Sequence, residues 1–202
     1  GEVCVAALAD VFRGDGEILG NPIGNVPVIA GRLARATFEP DLVMTDTEAL
    51  LVANTIPVGV AVPLEDKLVE GWLPFSDIFD LAVWTGRRHI IMGPSQIDRY
   101  GNMNIACIGD WRQPKAQLLG VRGAPGNTIN HATSYFVGNH STRVFCDAVD
   151  IVSGIGWDKV DPDNPAYRFV DVHRVVTNLG VFDFNGPGHT MRAVSLHPGV
   201  EA

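Results

Sequence analysis

Long apolar runs are missing from this chain of 202 residues. Nothing in it approaches the roughly 18 or more consecutive apolar residues that cross a bilayer, and no charged-then-apolar leader opens it. The expected location is the cytoplasm, with no membrane as partner. Cysteine is scarce: Cys4, Cys107 and Cys146 are odd in number and far apart. That spacing argues against a disulfide framework, and without a CxxC pair or a Cys/His cluster it argues against a metal site as well. All three read as small buried apolar residues. Positive charge is in deficit, with 15 Lys and Arg against 23 Asp and Glu. A net charge of −8 works against nucleic acid as partner, because a phosphate backbone needs a basic face to displace its counterions. A small polyanion needs only a local basic cluster. GxGxxG, GxxxxGK(S/T), GxSxG and HExxH are absent too, which removes the sequence signatures of dinucleotide dehydrogenases, phosphate-loop NTPases, α/β-hydrolases and zincins.

What is present is an ordinary globular composition, 46% hydrophobic and 19% charged, at a length for which one domain over residues 1–202 is expected. Val3 to Phe12 is apolar at helical spacing and stops at Arg13-Gly14-Asp15-Gly16; Glu17-Ile18-Leu19 then opens an extended segment. Val28 to Phe38 is a second helical run and Leu42 to Thr45 a short buried strand. The alternation recurs with a helix over Phe75 to Thr85 and a strand over His89 to Met92, and further strands are expected at Val144 to Val152 and Val172 to Phe184. Between these last two, Gly154 to Tyr167 is a surface connection. Such alternation implies an α/β fold with an open, mostly parallel sheet flanked by helices. In such sheets ligands bind beyond the carboxyl ends of the strands.

Three constellations stand out. Gly120 to Tyr135 is a glycine-rich stretch running into small polar residues, with Arg122, Asn127 and His131 inside it. Glycines let backbone N–H groups approach a thioester oxygen or a phosphate closely. The plain alternative is a tight turn and a helix capped by Asn127 or Thr128. Thr45-Asp46-Thr47-Glu48 follows the strand Leu42 to Thr45, where a carboxylate can act as nucleophile or base, or else cap the next helix. Gln96 to Asn104, with Tyr100-Gly101-Asn102 at its centre, reads as a β-hairpin. The basic run Arg87-Arg88-His89, and Arg112 with Lys115, are the nameable anion sites, each readable instead as a solvated face. His140, His173 and His189 are read as structural.

The order of these motifs resembles one family over nearly the whole chain. Phe38-Glu-Pro-Asp-Leu-Val-Met-Thr-Asp-Thr-Glu-Ala-Leu, Gln96-Ile-Asp-Arg-Tyr-Gly-Asn-Met-Asn, Gly120 to Asn127, Val176-Thr-Asn-Leu-Gly-Val-Phe and Leu196-His-Pro-Gly-Val are similar to the β subunit of class I coenzyme A transferases, the glutaconate type nearest. The resemblance implies an α subunit of similar fold, a heterodimer or heterotetramer, and a site at the subunit junction. Transferases of this kind form a covalent intermediate on a β-subunit glutamate. Matched without a gap from Pro40, that position falls on Thr47, with Glu48 one residue late and Ala49-Leu50 in place of the usual glycines. In extended backbone, one residue turns a side chain to the opposite face.

Arg122 to Phe136 and Val152 to Pro165 resemble instead one branch of the family, the steroid-ring-opening coenzyme A-thioester hydrolases of bacterial cholesterol catabolism. That resemblance implies hydrolytic carbon–carbon cleavage of a cyclic enone, with the essential glutamate on the α subunit. Coenzyme A would arrive as part of the substrate, with no permanently bound cofactor. This chain would supply Arg122, Gly123, Ala124 and Gly126 as the wall that binds the thioester, Asn127 and His131 as hydrogen-bond donors, and Glu48 in support. A genuine transferase subunit and a partner subunit without chemistry of its own are the alternatives.

Overall fold

The structure, a computed structural model, describes residues 1–45, 50–78 and 83–201. It forms two compact units, Gly1–Ile91 and Met92–Ala202.

In the first unit, α1 (Glu2–Asp10) and α2 (Asn25–Thr37) pack on one another. Helix α2 buries Pro27, Ala30, Gly31 and Ala34, a three-and-four spacing that lays one small-residue stripe against β1 (Leu19–Pro22). Strands β2 (Val43–Met44) and β5 (Arg88–Met92) pair with β1 on either side, both parallel, in the order β5-β1-β2. A separate antiparallel pair joins β3 (Leu50–Val52) to β4 (Val69–Trp72). The stop at Arg13–Gly16 is tied down by Glu39, whose carboxylate accepts the N–H groups of Gly14 and, at 3.2 Å, Gly16.

Two expectations change here. The expected helix over Phe75 to Thr85 is described only as α3 (Phe75–Asp77) and a 3-10 turn at Val83–Thr85, residues 79–82 lying outside the described residues. Of the basic run, Arg87 is exposed and donates to the Glu17 carbonyl at 3.0 Å, while the other two are neither a solvated face nor a free anion clamp. Arg88 and His89 are buried on β5: the Arg88 guanidinium donates to the Asn21 carboxamide, and His89 Nδ1 meets Asp15 Oδ2 at 2.7 Å. A strand with every residue buried must satisfy its polar side chains internally. Burial pulls Arg88's pKa down to about 10.

In the second unit, β10 (Ala132–Val137) pairs parallel with β11 (Asp171–Thr177), and β12 (Gly180–Asp183) and β13 (Arg192–Leu196) follow antiparallel, in the order β13-β12-β11-β10. The short pairs β6 (Gln96–Ile97) with β7 (Met103–Asn104) and β8 (Cys107–Ile108) with β9 (Ala116–Gln117) are antiparallel hairpins, the first as expected. Helix α4 (Ala124–Asn130) leads directly into β10. The expected strand Val172 to Phe184 is two strands, because Thr177 Oγ1 accepts the N–H groups of Leu179 and Gly180 and reverses the chain. Val144 to Val152 is no strand at all. Its backbone touches β6 through Ile97 and then turns away, held by Asp150, whose carboxylate accepts from Gln96 and Gly109.

The polar residues of the Gln96–Asn104 motif build a hydrogen-bonded scaffold. Asp98 accepts the N–H groups of Tyr100 and Asn102; Asn102 also donates to Asp158 at 2.7 Å and accepts from Gly156 N at 2.8 Å. Gly156 lies so close to the backbone of Tyr100 and Asn102 that a Cβ there would collide with both. Asn104 bridges Gln96 and the Cys107 carbonyl, both at 2.7 Å.

Candidate active site

The glycine-rich stretch closes on α4, a helix with Gly123 as N-cap and Pro125 in its first turn. Proline is pre-set for that turn, where its missing N–H costs nothing. The helix therefore starts upstream of Asn127, and neither Asn127 nor Thr128 caps it. Both lie on its buried face with Ala124. Thr128 Oγ1 donates to the Ala124 carbonyl at 3.1 Å and accepts from Ile155 N at 3.0 Å. That face is fixed against the segment after Ser153.

His131 follows the helix in extended conformation. Its Nε2 lies 3.2 Å from Asn127 Oδ1 and its Nδ1 3.1 Å from the Ala132 carbonyl, while Asn127 Nδ2 donates to Met92 Sδ at 3.4 Å. The ring is 1% exposed and the carboxamide residue 6%. The two residues that the sequence singles out as donors are thus brought together, as a buried pair behind the helix. Arg122 is exposed and sits at φ 50, a left-handed conformation that swings the chain into the helix. Gly123 and Gly126 are half-buried, Ala124 buried. Among the described residues beyond its own helix, a Cβ on Gly126 would meet nothing within 4 Å, so their packing does not require glycine there. Glu48 lies outside the described residues.

A cleft of the second unit, about 390 Å³, is lined among others by His140, Phe145, Cys146 and Arg192. His140 stacks on Phe145 with ring centroids 4.1 Å apart, and burial holds its pKa below the usual imidazole value. Burial first, then Asp98, Asp150 and Asp147, raises the pKa of the Cys146 thiol. A thiol held protonated is a poor nucleophile. Cys4 and Cys107 are buried as expected, Cys146 only half so. Among the described residues no His, Cys, Asp or Glu group is placed to hold a metal ion, and no helix is long and apolar enough to cross a membrane.

Sequence reading passed over Arg32, which lines clefts in the first unit. Its signal is the lack of an acid three or four residues away: Val28, Ile29, Arg35 and Ala36 occupy those positions.

No protein-family model matches the chain. The cholesterol ring-cleaving hydrolase IpdB subunit of Rhodococcus jostii (strain RHA1) is 60% identical over 201 residues, which is 100% of this chain and 77% of that protein. The crystal structure of Rhodococcus jostii RHA1 IpdAB superposes with a TM-score of 0.92 at 60% identity, covering 98% of this chain and 78% of that one. Glutaconate coenzyme A-transferase from Acidaminococcus fermentans has the same fold at 23% identity, with a TM-score of 0.79 over 99% of this chain and 80% of that one. With this identity held along its whole length, the chain belongs to the family of IpdB subunits of cholesterol ring-cleaving hydrolases, built on the coenzyme A-transferase fold.

Proposed function

We propose that the chain is the β subunit of a heteromeric coenzyme A-thioester hydrolase that opens the last ring of a steroid-derived cyclic enone. The observation that carries this is the 60% identity to a cholesterol ring-cleaving hydrolase subunit over 100% of the chain. In the reaction, water loses a proton to a base and adds to the ring carbonyl. The resulting tetrahedral alkoxide collapses, the carbon–carbon bond breaks, and its electron pair becomes an enolate conjugated with the thioester. Protonation of that enolate leaves a ring-opened carboxylic acid. The steps call for one base and for donors aimed at the alkoxide and the enolate.

In this reading the base belongs to an α subunit. Arg122, Gly123, Ala124 and Gly126 form the wall of the thioester pocket, Asn127 and His131 serve as donors, and Glu48 assists. Open space over Gly126 and the fixed buried face of α4 support that wall. Large apolar side chains stand exposed in the first unit, among them Leu64, Leu68 and Trp72, which supports a subunit that completes its surface with a partner. Coenzyme A enters with the substrate and leaves with the product, no cofactor is retained, and the complex works in the cytoplasm. Thr47 at the position of the transferase glutamate disfavours acyl exchange.

The test is co-expression with an α subunit of the same family and assay against a steroid-derived cyclic enone thioester. Ring opening that needs both chains and water alone is expected. Activity from the isolated chain, or turnover only with a carboxylate acceptor, would overturn the reading.

A further inference from the structure

Helix α2 carries two arginines one turn apart that the fold treats differently. Arg35 is fully used: it donates to the Val52 carbonyl at 2.6 Å and to both carboxylate oxygens of Glu70 at 2.7 Å. Arg32 is not. Its Nη1 is shut off from solvent yet meets no hydrogen-bond acceptor, and Arg32 forms no ion pair among the described residues. Burial lowers its pKa. A guanidinium N–H shut off from both solvent and an acceptor is a cost to the fold, and one that a bound anion would offset.

The surroundings give that anion a place. Arg32 lines two clefts at once, of about 260 Å³ and 350 Å³. The first reaches Met44 and Thr45, at the carboxyl end of β2; the second reaches Asn25 and Val28, at the start of α2. Among the described residues no acidic side chain lines either cleft. The carboxyl end of a parallel strand is where open α/β sheets bind their ligands, and a guanidinium fork fits an oxygen pair on carboxylate or phosphate.

We propose that Arg32 anchors an anionic group of the bound thioester, a carboxylate of the acyl part or a phosphate of the coenzyme A part. The proposal rests on the reading of the chain as a thioester-handling subunit. The test uses the assembled complex with wild-type chain, Arg32→Gln and Arg32→Lys, titrated calorimetrically with coenzyme A, butyryl-CoA and succinyl-CoA. Arg32→Gln should weaken binding by about ten- to a hundred-fold, the usual worth of a charged hydrogen bond. Equal weakening for all three ligands places a phosphate on Arg32; weakening confined to succinyl-CoA places a carboxylate there. Arg32→Lys keeps the charge without the fork and should recover part of the loss. Unchanged affinity for all three ligands overturns the proposal. So does a loss that sedimentation traces to dissociation of the subunits. If Arg32→Gln does not assemble, Arg32→Lys carries the comparison, with several-fold weaker binding expected and wild-type affinity decisive against it. Failure of the hydrolase reading would appear separately, as absence of ring opening by the wild-type complex.

Discussion

His131 Nε2 and Asn127 Oδ1 lie 3.2 Å apart, with the two residues 1% and 6% exposed. Asn127 Oδ1 and the Ala132 carbonyl on the other side of the ring both accept, so a neutral imidazole donates to one of them at a time. The two side chains hold one another.

Cutting either side chain leaves the other short of a buried partner. Asn127→Ala and His131→Ala should each lower stability by about 1–3 kcal/mol, besides slowing turnover. The turnover loss should be roughly a hundred- to thousand-fold where a donor to the oxyanion is removed. The double variant should cost less than the sum of the two, by about 0.5–3 kcal/mol. Chemical denaturation and ring-opening kinetics of the assembled complex read both effects, and strict additivity would mean that the pair does not act as a unit.

The sequence carries α1, α2, β2 and the Gln96–Asn104 hairpin because each shows one periodicity and a recognisable stop. Strand β10 gives no such signal. Thr133, Ser134 and Tyr135 are all fully buried, so polar and apolar residues do not alternate. Strand β13 is exposed along its whole length and hides for the opposite reason. Val144 to Val152 misleads through its β-branched residues, while its acids are engaged elsewhere: Asp150 serves Gln96 and Gly109. In the candidate site, the glycine-rich stretch is legible but the start of α4 is not, since Pro125 sets the first turn ahead of Asn127. The pairing of Asn127 with His131 needs both helix and exit geometry, which spacing alone does not supply.

Across β12 and β13, Asp183 faces Arg192, with Oδ1 taking Nε at 2.8 Å and Oδ2 taking Nη2 at 3.1 Å. Arg192 first, then Asn185, holds the Asp183 carboxyl far below the usual carboxylate range against the opposing effect of burial. A carboxyl with a depressed folded-state pKa stabilises the fold above its unfolded value, about pH 4, and loses that contribution as pH falls further. Asp183→Asn should therefore lower stability at neutral pH, and the gap from wild type should close below about pH 4. Thermal unfolding across pH 2 to 8 reads it, and a gap that widens in acid contradicts it. Arg192 is exposed, so added salt should shrink the gap.

A covalent intermediate on this chain would need a carboxylate at the position held by Thr47. A threonine hydroxyl is a weak nucleophile unless a base activates it. Incubation of the complex with acyl-coenzyme A, followed by hydroxylamine or borohydride trapping and peptide mass analysis, should find no adduct between Pro40 and Leu51. A trapped adduct on Glu48 would restore acyl transfer.

Gly126 separates a structural turn from a pocket wall. It lies inside α4, and a methyl group there would meet nothing within 4 Å among the described residues beyond its own helix. An interior helical glycine costs about 1 kcal/mol relative to alanine, so a chain selected only for its own stability has every reason to replace it. What glycine leaves open is room above the helix for something that is not this chain. Gly126→Ala should accordingly raise the unfolding free energy of the complex by up to about 1 kcal/mol. If the helix borders the thioester, the same methyl group should raise KM or lower kcat, because it fills space that the substrate needs. Higher stability together with lower kcat/KM marks the residue as part of the pocket; higher stability with unchanged kinetics moves the substrate away from α4 and leaves the glycine-rich stretch a turn.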